Sequence, residues 1–307
     1  MEKININSLV NELNLEIIAG TAGLTREIES KMLSRPGLEL AGLTDFYEDD
    51  RIQVIGSKEL AFFNGLAASA QNSRSEFLFK GQTPCFIFSN NFTVPQVFIT
   101  HAENYQIPIL RSQKDTTMLL NDITSYLAEE LAESTNMHGV LVDVHGIGVL
   151  IRGKSGIGKS EAALELVNRG HKLIADDNII IYEKEIGKLV GKPPKLLEKY
   201  IEIRGIGIIN IVSMFGAGSF RHKKRISLVI DLDLADYDKD YDRLGLEDAK
   251  IKIINTEVSY IKIPIRPGRN MAAIIEVAAL NHRLRYMGIN TAQEFIQNLN
   301  AYMTQEN

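Results

Sequence analysis

The chain is predicted to be an α/β protein of two domains, a small amino-terminal α/β unit followed by a phosphate-loop unit that ends in helices. Three observations carry this. The 307 residues exceed what one hydrophobic core usually serves. Residues Gly153 to Ser160 read GKSGIGKS, the G-x-x-x-x-G-K-[ST] spacing of a loop that wraps phosphate oxygens. Apolar segments at Gly139 to Val144 and Val149 to Ile151 precede it, and a helical stretch from Glu161 to Arg169, closed by Gly170, follows. A strand, a glycine-rich turn and a helix in that order are the context the motif requires.

The first domain is expected over residues 1–130. Residues 5–14 and 25–33 carry helical spacing, the second stopped by Ser34-Arg35-Pro36-Gly37. Short β-branched or aromatic runs at Val54-Ile55, Phe86 to Phe88, Val97 to Thr100 and Ile109-Leu110 predict strands, with a helix over Leu60 to Leu66. Met118, Leu119, Ile123, Leu127 and Leu131 recur at three- and four-residue steps, which predicts one helix from Thr116 to Glu133 leading into the second domain.

The second domain is expected over residues 131–307. Asn136 to Gly139 reads as a break before its first strand. His171 to Asp177 reads as a strand whose tip carries Asp176 and Asp177, before a further strand from Ile179 to Tyr182. Glu202 and Arg204 share one face of an alternating strand. Phe220 to Arg225 is sharply basic and suits either a solvated hairpin or a docking loop for an acidic partner. A strand from Ile226 to Ile230 is followed by the acidic run Asp231 to Asp242, expected to be a solvated loop. Tyr260 to Ile265 predicts a strand, and Arg266 to Asn270 places two arginines at a helix entrance. That helix runs from Asn270 to Met287 with Gly288 after it, and Thr291 with Glu294 is a capping-box signature for a last helix through Tyr302.

Composition narrows the function classes. Apolar content of 45% and charged content of 24% are those of a soluble globular protein. Lys and Arg total 34 against 39 Asp and Glu, a net charge of −5, which gives no support for a nucleic-acid surface. Cys85 is the single cysteine and sits in an apolar run, so no intrachain disulfide or cysteine metal cluster is available. The start has no apolar leader, and no run of about 18 uncharged apolar residues occurs. A cytoplasmic protein without membrane contact is expected.

The loop residues Gly153, Lys154, Ser155, Gly156, Ile157, Gly158, Lys159 and Ser160 are the expected phosphate binders. Lys159 reaches the terminal phosphates and the Ser160 hydroxyl suits Mg²⁺. Glu161 either serves the helix dipole or helps hold the metal. One carboxylate of the Asp176-Asp177 pair suits Mg²⁺ while the other takes a proton from an attacking hydroxyl. Glu202 and Arg204 are either a surface ion pair or a carboxylate and guanidinium facing phosphate or metal. His138, on its own, is a turn residue.

Taken together, His138 to Val144, Gly153 to Glu161, Arg169 to Asp177, Ile201 to Asn210 and Pro267 to Asn270 resemble the HPr kinase/phosphorylase family. The resemblance implies a P-loop kinase core related to phosphoenolpyruvate carboxykinase. It implies that ATP or pyrophosphate phosphorylates a regulatory serine of the phosphocarrier protein HPr, that inorganic phosphate reverses this with release of pyrophosphate, and that the cycle serves carbon catabolite repression. A homohexamer and activation by fructose 1,6-bisphosphate are implied as well. By the same resemblance Asp177 is the base, and the acid in reverse, with His138 beside it. Ser160, Glu161, Asp176 and Glu202 belong with the metal, Arg204 lines the site, Arg243 binds phosphate and Arg269 belongs to a loop used in dephosphorylation. Two other readings stand beside it: a small-molecule or carboxykinase-like P-loop kinase, and a regulatory protein that ATP merely switches.

Overall fold

The structure is a computed structural model that describes residues 4–234, 249–266 and 268–305. The chain divides into two compact units, Met1–Ala132 and Glu133–Asn307.

The first unit runs β1 (Ile4–Asn5), α1 (Ile6–Leu13), β2 (Glu16–Ala19), β3 (Glu27–Ile28), β4 (Leu33–Ser34), α2 (Gly37–Ala41), β5 (Ile52–Ile55), α3 (Ser57–Asn64), α4 (Ala68–Phe79), β6 (Phe86–Phe88), α5 (Gln96–Tyr105), β7 (Ile109–Arg111) and α6 (Thr116–Glu130). Its five-stranded sheet has the order β2-β7-β6-β5-β4, parallel except for β2. Successive side chains leave opposite faces, and helices cover both faces. Ile52, Val54, Ile87 and Leu110 pack with α1 and α6, whereas Ile55, Phe86, Phe88 and Ile109 pack with α3, α4 and α5. Asn5 caps α1 by accepting from the Ser8 N–H (2.9 Å), and Asp115 caps α6 through the Thr117 and Met118 N–H groups.

Two expectations fail here, and one helix has no counterpart in the sequence reading. Residues 25–33 form no helix, because Glu27-Ile28 pairs with Ile4-Asn5 and Leu33-Ser34 joins the sheet. A helix would have needed Met32 on its apolar face, and Met32 is exposed. Val97 to Thr100 lies inside α5, where Phe98, His101 and Ala102 bury one helical face after Pro95. Helix α4 went unread because its run of Ala, Ser, Asn and Gln hides the period of Ser75, Leu78 and Phe79.

The second unit runs β8 (Ser134–Val144), β9 (Ile147–Gly153), α7 (Lys159–Asn168), β10 (Lys172–Glu185), β11 (Lys188–Lys192), β12 (Tyr200–Ile203), β13 (Gly207–Asn210), α8 (Ile211–Phe215), β14 (Lys224–Arg225), β15 (Leu228–Leu234), β16 (Lys250–Ile253), β17 (Thr256–Ile265), α9 (Met271–Tyr286) and α10 (Thr291–Gln305). Eight strands form one sheet in the order β14-β11-β10-β8-β9-β15-β17-β16, with β9, β15 and β17 parallel. One face packs Val140, Val142, Ile151 and Ile230 against α7 and α9 through Leu166, Val167, Ile275 and Ala279. The other face gathers Leu141, Leu150, Ile174, Ile179, Ile181 and Val229 into a core drawn from strands.

Strand β8 begins at Ser134, so Asn136 to Gly139 is not a break. Gly139 belongs there because a side chain would meet the Ile151 carbonyl oxygen at 2.6 Å. Part of the basic run pairs within the unit while most of it stays exposed: Arg221 and Lys224 both reach the buried Asp143 carboxylate (2.9 Å each) and His222 lies 3.4 Å from Glu198. Asp231 to Leu234 extend β15, while the rest of the acidic run lies outside the described residues. The final helix is capped by Asn290, whose Oδ1 accepts from the Gln293 N–H (3.3 Å), rather than by Thr291. No described helix is long and apolar enough to cross a membrane.

Phe98 meets Phe63, Phe79, Phe86 and Phe88 edge-on, with ring centroids 4.8–6.1 Å apart. Phe98→Ala is expected to destabilise the first unit by about 3–5 kcal/mol, measured as a lower denaturant midpoint for that unit.

Candidate active site

The site begins where β9 ends. Its last residue, Gly153, leads into a loop that turns through Gly156 (φ 80°) and Gly158 (φ 96°), left-handed conformations that glycine adopts without strain. Helix α7 then starts at Lys159, and no side chain caps it. Its first N–H groups therefore face the loop's concave side, a ready environment for anionic oxygens. Lys159 crosses the loop, donating from Nζ to the Gly153 (3.0 Å) and Lys154 (3.1 Å) carbonyls. Arg204 closes the other side, its Nη2 donating to Ser155 Oγ (3.0 Å).

Asp176 is the hinge of the arrangement. It lies on β10 opposite Val140 of β8, and Val140 lies opposite Ile151 of β9, so the carboxylate stands level with the strand that feeds the loop. Ser160 Oγ donates to its Oδ1 (2.9 Å) and the Glu202 backbone N–H donates to its Oδ2 (3.0 Å). Asp176 is only 6% exposed. Burial pushes its pKa above the ordinary carboxylate range, the Glu202 and Ser160 hydrogen bonds pull it back in part, and the Asp177 charge adds to the rise.

Asp177 follows within the strand, so the acidic pair occupies mid-strand rather than the expected tip. A register shift between Leu173 and Ala175 sets its position, and its own φ of 65° is left-handed. Aspartate tolerates that conformation better than most residues, and such outliers collect at functional sites. The twist leaves Asp177 in solvent beside His138 on β8. His138 Nδ1 lies 3.2 Å from the Asp177 carbonyl oxygen and 3.6 Å from Oδ1, with the two side chains 87% and 74% exposed.

The structure thus gathers Lys159, Ser160, Asp176, Asp177, His138 and Arg204 around the loop. Glu161 is exposed in the first turn of α7. Glu202 takes part through its backbone, its side chain lying on the exposed face of β12 between buried Ile201 and Ile203. Arg269 is exposed at the entrance to α9, its N–H bonded to the Arg266 carbonyl (3.2 Å). Arg243 lies outside the described residues.

Sequence reasoning missed Arg152, whose guanidinium forms a paired contact with Asp231 (2.8 and 2.9 Å). The Tyr260 hydroxyl also donates to that carboxylate (3.0 Å). Arg152 and Asp231 line a depression of about 250 Å³ that touches the loop through Gly153 and Lys154. It lies on the β15 side, away from the acidic pair.

Oxygen donors of hard character fit Mg²⁺. Ser160 Oγ and Asp176 supply two of them in contact, and a buried carboxylate whose ionisation burial disfavours is one that a cation stabilises.

Two family models match the chain: HPr Serine kinase N terminus over residues 4–127 and HPr Serine kinase C-terminal domain over residues 129–299. The HPr kinase/phosphorylase of Bacillus cereus (strain AH820) is 48% identical over 299 residues, 97% of each chain, and that of Bacillus anthracis (strain A0248) is similar to the same extent. A solved structure titled Hpr(Ser) kinase/phosphatase from Coxiella burnetii shares 34% identity, covering 52% of this chain and 98% of its own, with a TM-score of 0.47. Matched by both models from residue 4 to residue 299, and by relatives at 48% identity over almost its full length, the chain belongs to the HPr kinase/phosphorylase family.

Proposed function

We infer that the chain is a bifunctional enzyme that phosphorylates a regulatory serine of the phosphocarrier protein HPr and removes that phosphate again, within carbon catabolite repression. One observation carries the chemistry. A buried carboxylate bonded to the loop serine and an exposed carboxylate stand side by side at the mouth of a phosphate-binding loop.

The residues divide the work. In the forward direction the HPr serine oxygen attacks the terminal phosphorus of ATP or pyrophosphate while Asp177 takes its proton. The bond from phosphorus to the bridging oxygen breaks, and ADP or inorganic phosphate leaves. In reverse an oxygen of inorganic phosphate attacks the phosphoserine, Asp177 returns the proton to the departing serine oxygen, and pyrophosphate forms. His138 steadies the charge on Asp177. Loop N–H groups from Gly153 to Ser160, with Lys159, hold the polyphosphate, and Arg204 reaches it from the turn after β12, not from the strand face expected for it with Glu202. Bound Mg²⁺ supplies charge neutralisation on the phosphates, held by Ser160 and Asp176 with Glu161 and Glu202 nearby. Arg243 is assigned to phosphate binding and Arg269 to a loop used in dephosphorylation.

This reading makes the second unit a P-loop kinase core of the phosphoenolpyruvate carboxykinase kind. Residues 1–130 then serve assembly or regulation and residues 131–307 the chemistry. It also makes the protein a cytoplasmic homohexamer open to activation by fructose 1,6-bisphosphate, without nucleic-acid or membrane partners.

Purified HPr incubated with the protein, Mg²⁺ and pyrophosphate should gain the mass of one phosphate on serine, then lose it with excess inorganic phosphate. No mass gain with either ATP or pyrophosphate would overturn the assignment. Asp177→Asn should lower both rates by about 10²–10⁴-fold while leaving nucleotide binding in place, measured by transfer rate and by titration.

Asp176 has a raised native pKa, so its proton favours the fold, and that contribution is lost as pH rises through the native value. At neutral pH Asp176→Asn should therefore raise the unfolding midpoint, by about 2–4 °C if the gain is about 1 kcal/mol, while abolishing Mg²⁺-dependent transfer. Mg²⁺ should stabilise the parent protein and not the variant, as followed by thermal unfolding.

A further inference from the structure

At the other end of β9 from the phosphate loop, two histidines and a glutamate converge. His145 sits in the tight turn between β8 and β9, His171 follows the carboxyl end of α7, and Glu276 projects from α9. One donor atom from each lies within 4.8 Å of the others. The imidazole rings meet edge to face with centroids 4.6 Å apart, and His171 Nε2 is 2.8 Å from Glu276 Oε1. Strand β9 has seven residues, about 20 Å of extended chain, so this cluster is separate from the phosphoryl-transfer site.

We propose that His145, His171 and Glu276 form a binding site for a divalent transition metal of the zinc class, with water as the fourth ligand. Two imidazoles and one carboxylate are a donor set that such metals favour and that Mg²⁺ does not. Tetrahedral coordination at metal–ligand distances of about 2.0–2.2 Å needs donors roughly 3.3 Å apart. His171 and Glu276 need only part slightly from their 2.8 Å contact, and the closure falls to His145, an exposed side chain on a turn. The Glu276 carboxylate is pre-set by its neighbours, because Arg169 Nη1 holds Oε2 at 2.7 Å and leaves Oε1 toward the histidines. His171 is 6% exposed, so its ring is fixed by packing.

The turn itself is informative. His145 and Gly146 both have positive φ (51° and 87°), the requirement of a two-residue hairpin turn where asparagine and glycine are usual. A histidine there accepts a conformational cost and in return delivers its imidazole to the pair below. Metal entry expels the proton shared between Nε2 and Oε1 to solvent. The bound ion then ties three elements together: the β8–β9 turn, the end of α7 and the second turn of α9. Helix α9 is also tied to α7 by Asn270, whose Nδ2 donates to Glu165 Oε1 (2.8 Å).

The test uses the full chain with Co²⁺ as probe in saturating Mg²⁺, so that the phosphate-loop site is filled, and its readouts do not depend on phosphoryl transfer. The parent protein should bind one equivalent and develop the intense visible bands of four-coordinate Co²⁺. His145→Ala, at an exposed turn, should weaken binding at least tenfold and lose the bands, Glu276→Gln should do likewise, and Asp177→Asn should keep both. Zn²⁺ should displace Co²⁺ and raise the unfolding midpoint of the parent but not of His145→Ala. Equal affinity in parent and His145→Ala, or a spectrum that stays that of hydrated Co²⁺, would overturn the proposal.

Discussion

A single buried carboxylate organises the second unit. Asp176 accepts from the Ser160 hydroxyl at the start of α7 and from the Glu202 backbone at β12, while its own backbone belongs to β10. Three elements distant in sequence are joined by one side chain with both oxygens satisfied. Burial raises the cost of its charge, and the two donors offset part of that cost. A cation beside this carboxylate would offset the cost that remains.

Around that centre, backbone geometry does much of the selection. The loop glycines let N–H groups turn inward. Gly139 lets β8 approach β9 closely enough to keep Val140 opposite both Ile151 and Asp176. A register slip of one residue would send Asp176 to the strand-lined face of the sheet. The bulge at Leu173 to Ala175 and the left-handed Asp177 bracket the residue whose placement must not slip.

Much of this is legible in the sequence. The loop announces itself by spacing, the helix that begins at Thr116 by its apolar period, and the acidic pair by following the loop's helix at short range. What stayed hidden has physical causes. The strand identity of Leu33-Ser34 comes from pairing with Gln53 and Ile52, partners far along the chain, and no local period reports it. Val97 to Thr100 carries β-branched residues into a helix because Phe98, His101 and Ala102 find a core there. Of the residues chosen by chemistry, Ser160 and Asp176 are in direct contact and His138 lies beside Asp177, whereas the side chains of Glu161, Glu202 and Arg269 are exposed and Arg243 lies outside the described residues. Arg152 escaped notice because its meaning lies in Asp231, on a neighbouring strand far along the chain.

One quieter feature has practical weight. Cys85 is the only thiol in the chain, lies fully buried in the core beneath α1 and α6, and has its acidity suppressed by that burial. Its sulfur is silent toward alkylating reagents while the amino-terminal unit is closed and reactive once that unit opens. The molecule therefore carries its own reporter, and the labelling rate of one native atom times the breathing of one half of the protein without any engineered probe.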